Sequence, residues 1–144
     1  MDEELLQIME LFGAVNNGFQ IRLQGLAGLE TVGLTAYEAR TLALIARHPG
    51  CSQLMIGTWT DRDKAQVART VKELEARKMI VRRVNPTDWR AHSLEISAEG
   101  KRCFDFLDAQ RHQIGADMMQ DVSVDEKRVF ARALAKMKVR LDKR

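Results

Sequence analysis

The residues whose chemistry stands out are cationic side chains that concentrate between residues 61 and 92. This segment holds nine Lys or Arg residues against five acidic ones, while the whole chain of 144 residues carries a net charge of only +3. Guanidinium and ammonium groups at this density are typical of a surface that binds a phosphate backbone. A solvated helix face explains the same charge, so the spacing of these residues has to decide between the two interpretations.

One predicted helix, over residues 64–78, presents several of these side chains together. Val67, Val71 and Leu74 recur at helical spacing and predict one buried face. Polar side chains on the opposite face and the flanks suit hydrogen bonds to guanine, adenine and phosphate in a major groove. We expect Arg69 to read a base. The candidate DNA contacts on this helix are Lys64, Gln66, Arg69, Thr70 and Lys72.

A predicted β-hairpin follows this helix directly. Residues 79–84 have the β-branched content of a strand, residues 85–88 are turn formers, and a second strand returns over residues 92–97. Guanidinium groups on such a hairpin can enter an adjacent minor groove and bind its negative potential. The hairpin is therefore predicted to be a wing, with candidate DNA contacts at Arg82, Arg83 and Arg90.

The elements that position these residues are predicted from capping signals. Thr35 and Glu38 form a capping box that opens a helix ending before Pro49. Ser52 and Asp63 are N-caps of the next two helices, and that helix pair is a helix-turn-helix candidate. Two more helices begin near residues 98 and 124. The predicted order is four helices, a hairpin and two helices, which makes the fold mainly α with a small β-hairpin wing.

The first predicted helix, from Glu3 to about Leu29, is apolar nearly all round and needs a partner. Its polar residues, among them Asn16, Gln20 and Arg22, would be costly in a membrane interior, so we expect neither a transmembrane span nor a membrane partner. The acidic start of the chain does not resemble the basic beginning of a secretory signal. A cytoplasmic location is expected.

Catalytic and metal-binding patterns are weak in this sequence. Cys51 and Cys103 stand far apart, and the three histidines share no ligand spacing with them, so neither a metal nor a cofactor is expected. His48 lies three residues before Cys51, but Pro49 and Gly50 break any shared helical face. No catalytic residue is predicted, and the chain is not expected to be an enzyme.

Several stretches together resemble the MarR (multiple antibiotic resistance regulator) family, and they cover about two thirds of the chain. They are Leu34-Thr35, the run from Asp63-Lys64-Ala65 to Val81-Arg82, Asn85-Pro86-Thr87-Asp88-Trp89-Arg90-Ala91, and Leu94-Glu95-Ile96-Ser97-Ala98-Glu99-Gly100. The resemblance implies a single winged helix-turn-helix domain over residues 1–144. Residues 1–33 and 98–144 would form a helical dimerisation region, and residues 34–97 a DNA-binding lobe. It also implies a homodimer whose recognition helices enter successive major grooves of a pseudo-palindromic double-stranded operator.

The wing departs from the family pattern, in which Asp-Arg-Arg or Asp-x-Arg is usual. Here the sequence is Asp88-Trp89-Arg90, so the resemblance assigns the minor-groove contact to Arg90 and its orientation to Asp88. Trp89 replaces the first arginine. Its ring could wedge near a base step or pack along the wing, and both interpretations stay open.

Many regulators that resemble this chain bind a small aromatic or phenolic effector between the dimerisation helices and the DNA-binding lobe. The corresponding candidate residues here are Phe12, Phe19, Arg22, Tyr37 and Trp59. Three classes of function are weighed: a DNA-binding regulator, expected to be a repressor, a helical protein-interaction module that kept the fold and lost DNA binding, and a small enzyme. The sequence shows no converging set of titratable groups for the enzyme. The basic residues on the helix and the hairpin favour the regulator, because a module would not need them.

Overall fold

The computed structural model describes residues 2–25 and 27–143, apart from the side chains of residues 27–29, 85 and 88–91. Within this part of the chain the elements are α1 (Glu3–Gln24), α2 (Ala27–Val32), α3 (Ala36–Arg47), α4 (Gln53–Thr60), α5 (Lys64–Ala76), β1 (Ile80–Asn85), β2 (Asp88–Ile96), α6 (Ala98–Met118) and α7 (Val124–Leu141). The mainly α fold with a β-hairpin is confirmed. The chain forms two compact units, Met1–His112 and Gln113–Arg144, and α6 begins in the first and ends in the second.

The helix-turn-helix consists of α4 and α5, joined at residues 61–63. The Ser52 hydroxyl accepts a hydrogen bond from the Met55 amide at 3.2 Å, and the Asp63 carboxylate accepts one from the Gln66 amide at 2.8 Å. These bonds satisfy amides that the first turn of a helix leaves without partners. Asp61 takes the left-handed conformation with φ 52°, which ends α4 and turns the chain into α5. The predicted N-caps are confirmed.

The core of the first unit lies among α3, α4, α5 and the hairpin. Its buried residues are Leu34, Leu42, Ile45, Cys51, Ile56, Val67, Val71, Leu74, Met79, Ile80, Leu94 and Cys103. Because α5 contributes three of them and contacts α3, α4 and β1, packing fixes its orientation. Apolar burial of this kind supplies most of the stability of a helix in a folded protein.

The hairpin is anchored at its base and extends away from the core. Ile80 pairs with Ile96, and Arg82 pairs with Leu94, before the register becomes irregular between Val84 and Asn85. The loop before α4 adds a short third edge, because Cys51 and Leu94 form a β-bridge. Leu94 is fully buried, whereas Val84 is 55% exposed. The distal part of the hairpin is thus available to a partner.

A close approach between α6 and the hairpin base requires Gly100. A Cβ atom at this position would lie 1.9 Å from the carbonyl oxygen of Met79, far inside contact distance. The Ser97 hydroxyl secures the same junction by donating to the Lys78 carbonyl at 2.6 Å and accepting from the Gly100 amide at 3.0 Å. The Ser97-Ala98-Glu99-Gly100 stretch therefore fixes where α6 begins.

Two helix boundaries differ from those predicted. α1 ends at Gln24 rather than near Leu29, with Gly25 as its C-cap, and the short helix α2 follows. α5 ends at Ala76 rather than Lys78, because Lys78 takes the left-handed conformation at φ 59°. That conformation closes a helix and redirects the chain.

Two helices leave large apolar side chains exposed. None of the residues of α1 is buried, and Met9 and Phe12 are both at least half exposed. α7 likewise has no buried residue and exposes Phe130 and Met137. No described helix is long and apolar enough to cross a membrane. The predicted grouping of residues 1–33 with 98–144 as a dimerisation region stays a prediction.

Candidate nucleic-acid interface

The recognition-helix candidate α5 has two chemically distinct faces. Val67, Val71 and Leu74 are buried, whereas Arg69 and Lys72 are exposed on the opposite side. Lys64, at the N-terminal end, is exposed as well, and Gln66 is half-buried. The N-terminal part of this helix can therefore present an ammonium group, a guanidinium group and a side-chain amide to the same partner.

Thr70 does not belong to this exposed set, and its predicted position on the flank of α5 was wrong. Its side chain is buried, at 8% exposed. It follows Val67 by three residues and precedes Leu74 by four, which places it on the buried side of the helix. Helical spacing alone could have shown this.

The two arginines of β1 point to opposite sides of the hairpin. Arg83 is 67% exposed, and its Nε donates to Glu95 Oε2 on β2 at 2.7 Å. Arg82 is 27% exposed and faces the helices, where its Nε lies 3.4 Å from Glu75 Oε2. Side chains alternate along a strand, so neighbouring arginines cannot share one surface. The Arg82 guanidinium is thus turned toward the protein, unlike that of Arg83, and its predicted contact with DNA stays untested.

The remaining wing candidates are Asp88 and Arg90, whose backbone forms the start of β2. Their side chains, and that of Trp89, lie outside the part of the chain that the structure describes. Their roles at a minor groove stay predictions.

Arg77 belongs to the basic segment but has a structural task. Its Nη1 donates to the Gly33 carbonyl at 2.7 Å and its Nη2 to the Val32 carbonyl at 2.6 Å. It also lies 3.8 Å from Glu38, the capping-box carboxylate of α3. This side chain therefore holds the end of α5 against the start of α3.

A cavity of about 490 Å³ lies beside the DNA-binding elements, within the first unit. Among the predicted effector residues, Phe19 and Tyr37 line it. Arg22, Phe12 and Trp59 do not line it, and their role toward an effector stays a prediction. Phe12 lies two helical turns before the part of α1 that lines the cavity, and Arg22 is absent from the α1 face that does so. The ring of Trp59 instead lies 4.5 Å, centroid to centroid, from that of His48.

Arginines that the sequence analysis did not single out make the lining of this cavity basic. Arg47 Nη2 lies 3.1 Å from Asp108 Oδ1, and Arg111 stands 5.9 Å from the centre of the Phe19 ring. Arg40 and Arg62 complete the set of four lining arginines. Among the described residues that line the cavity, Asp108 is the single carboxylate. The α6 residues 104, 107, 108 and 111 recur at helical spacing, which places them on one face of the helix. This face forms one wall of the cavity, and the spacing is the sequence feature that could have predicted it.

The cavity reaches the turn of the helix-turn-helix directly. The Arg62 guanidinium carbon lies 5.3 Å from the centre of the Tyr37 ring, a cation–π distance. The Tyr37 hydroxyl lies 3.2 Å from the Thr60 hydroxyl, at the end of α4. Contacts made inside the cavity thus involve residues that directly precede α5 or touch them.

The two cysteines are free, buried thiols. Burial raises the pKa of both Cys51 and Cys103, and nearby Arg77 partly opposes this at Cys103. A raised pKa keeps a thiol protonated and unreactive. Among the described residues, no group of three His, Cys, Asp or Glu side chains is placed to hold a metal ion.

Comparison with known proteins identifies what this arrangement resembles. The MarR family profile matches residues 32–91, which run from the last residue of α2 into β2. A relative in Thauera aromatica, named as a transcriptional regulatory protein for the hcr operon, is 34% identical over 70 residues. That match covers 49% of this chain and 42% of the relative, so the chain spans less than half of that protein's length.

Solved structures share the fold over nearly the whole chain. The crystal structure of MarR is 26% identical, with a TM-score of 0.70, and the match covers 99% of this chain and 97% of that one. A mutant of S. aureus MepR bound to an oligodeoxyribonucleotide is 20% identical, with a TM-score of 0.64 and coverage of 93% and 97%. The family profile on the DNA-binding elements, together with this agreement in fold, makes the chain similar to regulators of the MarR family.

Proposed function

We propose that this chain is a cytoplasmic, sequence-specific regulator that binds double-stranded DNA as a homodimer and represses nearby genes. MarR family regulators are non-enzymatic transcription factors. The observation that carries the proposal is the division of α5 into a buried face and an exposed face with Arg69 and Lys72. A helix that reads DNA needs this division, because it must be held by its own domain while it offers hydrogen-bonding groups to a groove.

The exposed residues of α5 have distinct tasks in this proposal. Arg69 donates two hydrogen bonds to one guanine, and Gln66 has the amide geometry that suits adenine. Lys64 and Lys72 neutralise phosphates and fix the position of the helix without reading sequence. On the wing, Arg83 is the described arginine that is free to approach DNA, once its exposed ion pair with Glu95 opens.

Homodimerisation would cover the apolar side chains that α1 and α7 expose. Large apolar side chains exposed along a helix are a usual mark of a protein interface. The family resemblance names the occupant, a second copy of the chain, whose two-fold symmetry would require a pseudo-palindromic operator. The same exposed helices would serve a protein-interaction module, but such a module leaves the cationic face of α5 without a role.

An effector of this regulator would occupy the cavity beside α3. Four arginines against one carboxylate favour an aromatic compound that carries an acidic group, with its ring against Phe19 or Tyr37. The acidic group would compete with Tyr37 for Arg62, next to the helix-turn-helix turn. The effector would release DNA only if it binds the arrangement that cannot fit the operator more tightly than the one that can.

The experiment that tests DNA binding is a fluorescence-anisotropy titration at two salt concentrations. The protein is titrated with the intergenic duplex upstream of its own gene and with a scrambled duplex of equal length. We expect tighter binding to the native duplex by roughly a thousandfold, with strong salt dependence. Equal and weak binding to both duplexes would instead support the protein-interaction module.

A further inference from the structure

Arg82 lies where the hairpin meets both helices of the helix-turn-helix. Its Nε lies 3.4 Å from Oε2 of Glu75, in the last turn of α5. Gln53, the first residue of α4, lies on another side of the guanidinium. When the Gln53 amide is turned so that its oxygen faces Arg82, that oxygen is 3.3 Å from both terminal nitrogens. One guanidinium therefore links β1 to the end of α5 and to the start of α4.

The neighbouring Arg83 shows what Arg82 does differently. Arg83 bonds to Glu95, and because both residues belong to the hairpin, this exposed ion pair does not attach the hairpin to a helix. Arg82 bonds to side chains outside the hairpin. It lies opposite Leu94, where β1 leaves the core and the exposed distal part begins. A directional, charge-assisted contact at this point is placed where the distal part joins the core.

We propose that Arg82 is a positioning residue, which fixes the angle between the wing and the recognition helix α5 without touching DNA itself. The inference rests on the proposed DNA-binding function. It explains why a guanidinium that is largely covered by protein stands in the basic segment. A wing and a helix that must reach neighbouring grooves at the same time lose affinity when their relative angle is not fixed in advance.

The first test measures the angle and needs no DNA. Spin labels replace Lys72 on α5 and Val84 on the hairpin, and labelled chains are diluted with excess unlabelled chains so that only the distance within one chain is recorded. Arg82→Met, which keeps the aliphatic stem, and Glu75→Gln should both broaden the distance distribution. Arg83→Met should leave it unchanged. A distribution that is equally narrow in all variants would overturn the proposal.

The second test separates positioning from contact by titrating two duplexes. One is a full operator, and the other is shortened so that it keeps the recognition-helix contacts and ends before the groove that the wing reaches. Arg82→Met and Glu75→Gln should each weaken binding to the full operator roughly tenfold, since bonds to charged groups are worth that order. Binding to the shortened duplex should not change, and the double variant should be no weaker than either single variant.

The salt dependence of binding distinguishes the alternatives. Arg82→Met should leave the slope of log affinity against log salt unchanged, whereas Arg83→Met should reduce it by about one. A reduced slope for Arg82→Met, or tighter binding by Glu75→Gln because it frees Arg82, would show that Arg82 contacts DNA and would overturn the proposal. Thermal unfolding of each variant checks that it folds. If the wild-type protein binds no duplex, the proposed function fails, and the distance measurement still decides the role of Arg82.

Discussion

The helices α5 and α1 both carry apolar side chains at helical spacing, but they differ in whether these side chains are buried. α5 buries Val71 and Leu74 completely in the core of its own unit and exposes cations on the other side. α1 buries no residue and exposes Phe12 and Met9. The comparison shows that α5 is packed within its own unit, whereas α1 leaves its apolar side chains uncovered, as the proposed homodimer requires. Four predictions test this difference.

The largest effect is expected at the buried face of α5. Leu74→Ala should lower the free energy of unfolding by about 2–5 kcal/mol, because it removes fully buried methyl groups and leaves a cavity. The measurement is chemical denaturation followed by circular dichroism. Lys72→Ala is the matched control on the exposed face of the same helix and should change stability by less than about 0.5 kcal/mol. A similar loss in both variants would mean that α5 is not divided as described.

The second effect concerns the apolar side of α1. Phe12→Glu should raise the dimer dissociation constant by roughly a hundredfold, because a buried interfacial aromatic residue is often worth about 2 kcal/mol or more. Sedimentation equilibrium measures the change. Gln7→Glu adds the same charge to the same helix at a polar position and serves as the control. If Phe12→Glu leaves the oligomeric state unchanged, α1 is not a dimer interface at this position.

A smaller effect is expected for base reading by α5. Arg69→Ala should weaken operator binding by about 1–3 kcal/mol and relax the preference at one base-pair position. Titration against a set of operators with single substitutions locates that position. Equal losses on operator and random DNA would contradict the assignment, because they indicate a phosphate contact.

The smallest effect is expected for the phosphate contact. Lys72→Ala should weaken binding to every duplex to a similar degree and reduce the salt slope by about one, because one fewer counterion is released. Anisotropy titrations over a range of salt concentrations measure the slope. A sequence-dependent loss with an unchanged slope would show that Lys72 reads a base and that its role and that of Arg69 have to be exchanged.

Local signals were sufficient to predict the helix-turn-helix. Ser52, Asp63 and the Thr35–Glu38 capping box act within a few residues, so their outcome does not depend on the rest of the fold. The buried face of α5 was equally readable, because helical spacing determines it. Thr70 was expected on the flank of the helix, although its spacing from Val67 and Leu74 places it on the buried side.

Other features depend on contacts between distant residues and could not be predicted from local patterns. Arg82 was predicted to contact DNA because it belongs to the basic segment. Its contact with Glu75 could not be foreseen, because the hairpin register that turns Arg82 toward Glu75 is a tertiary property. The arginines of the cavity come from α3, α6 and the helix-turn-helix turn, which are separated in sequence and meet through packing. Two of the three effector candidates that miss the cavity, Phe12 and Trp59, are aromatic residues chosen by type, and type does not determine which way a side chain points.

The most direct test of the account is selection of DNA by the purified protein from a library of random duplexes, followed by sequencing. It requires no knowledge of the operator. We expect enrichment of an inverted repeat whose half-sites are centred about ten base pairs apart or a multiple of that, since two symmetry-related α5 helices enter successive major grooves. Arg69→Ala should enrich the same repeat with one position relaxed. A selected pool with no preferred sequence would contradict the account and leave the cationic face of α5 without a sequence to read.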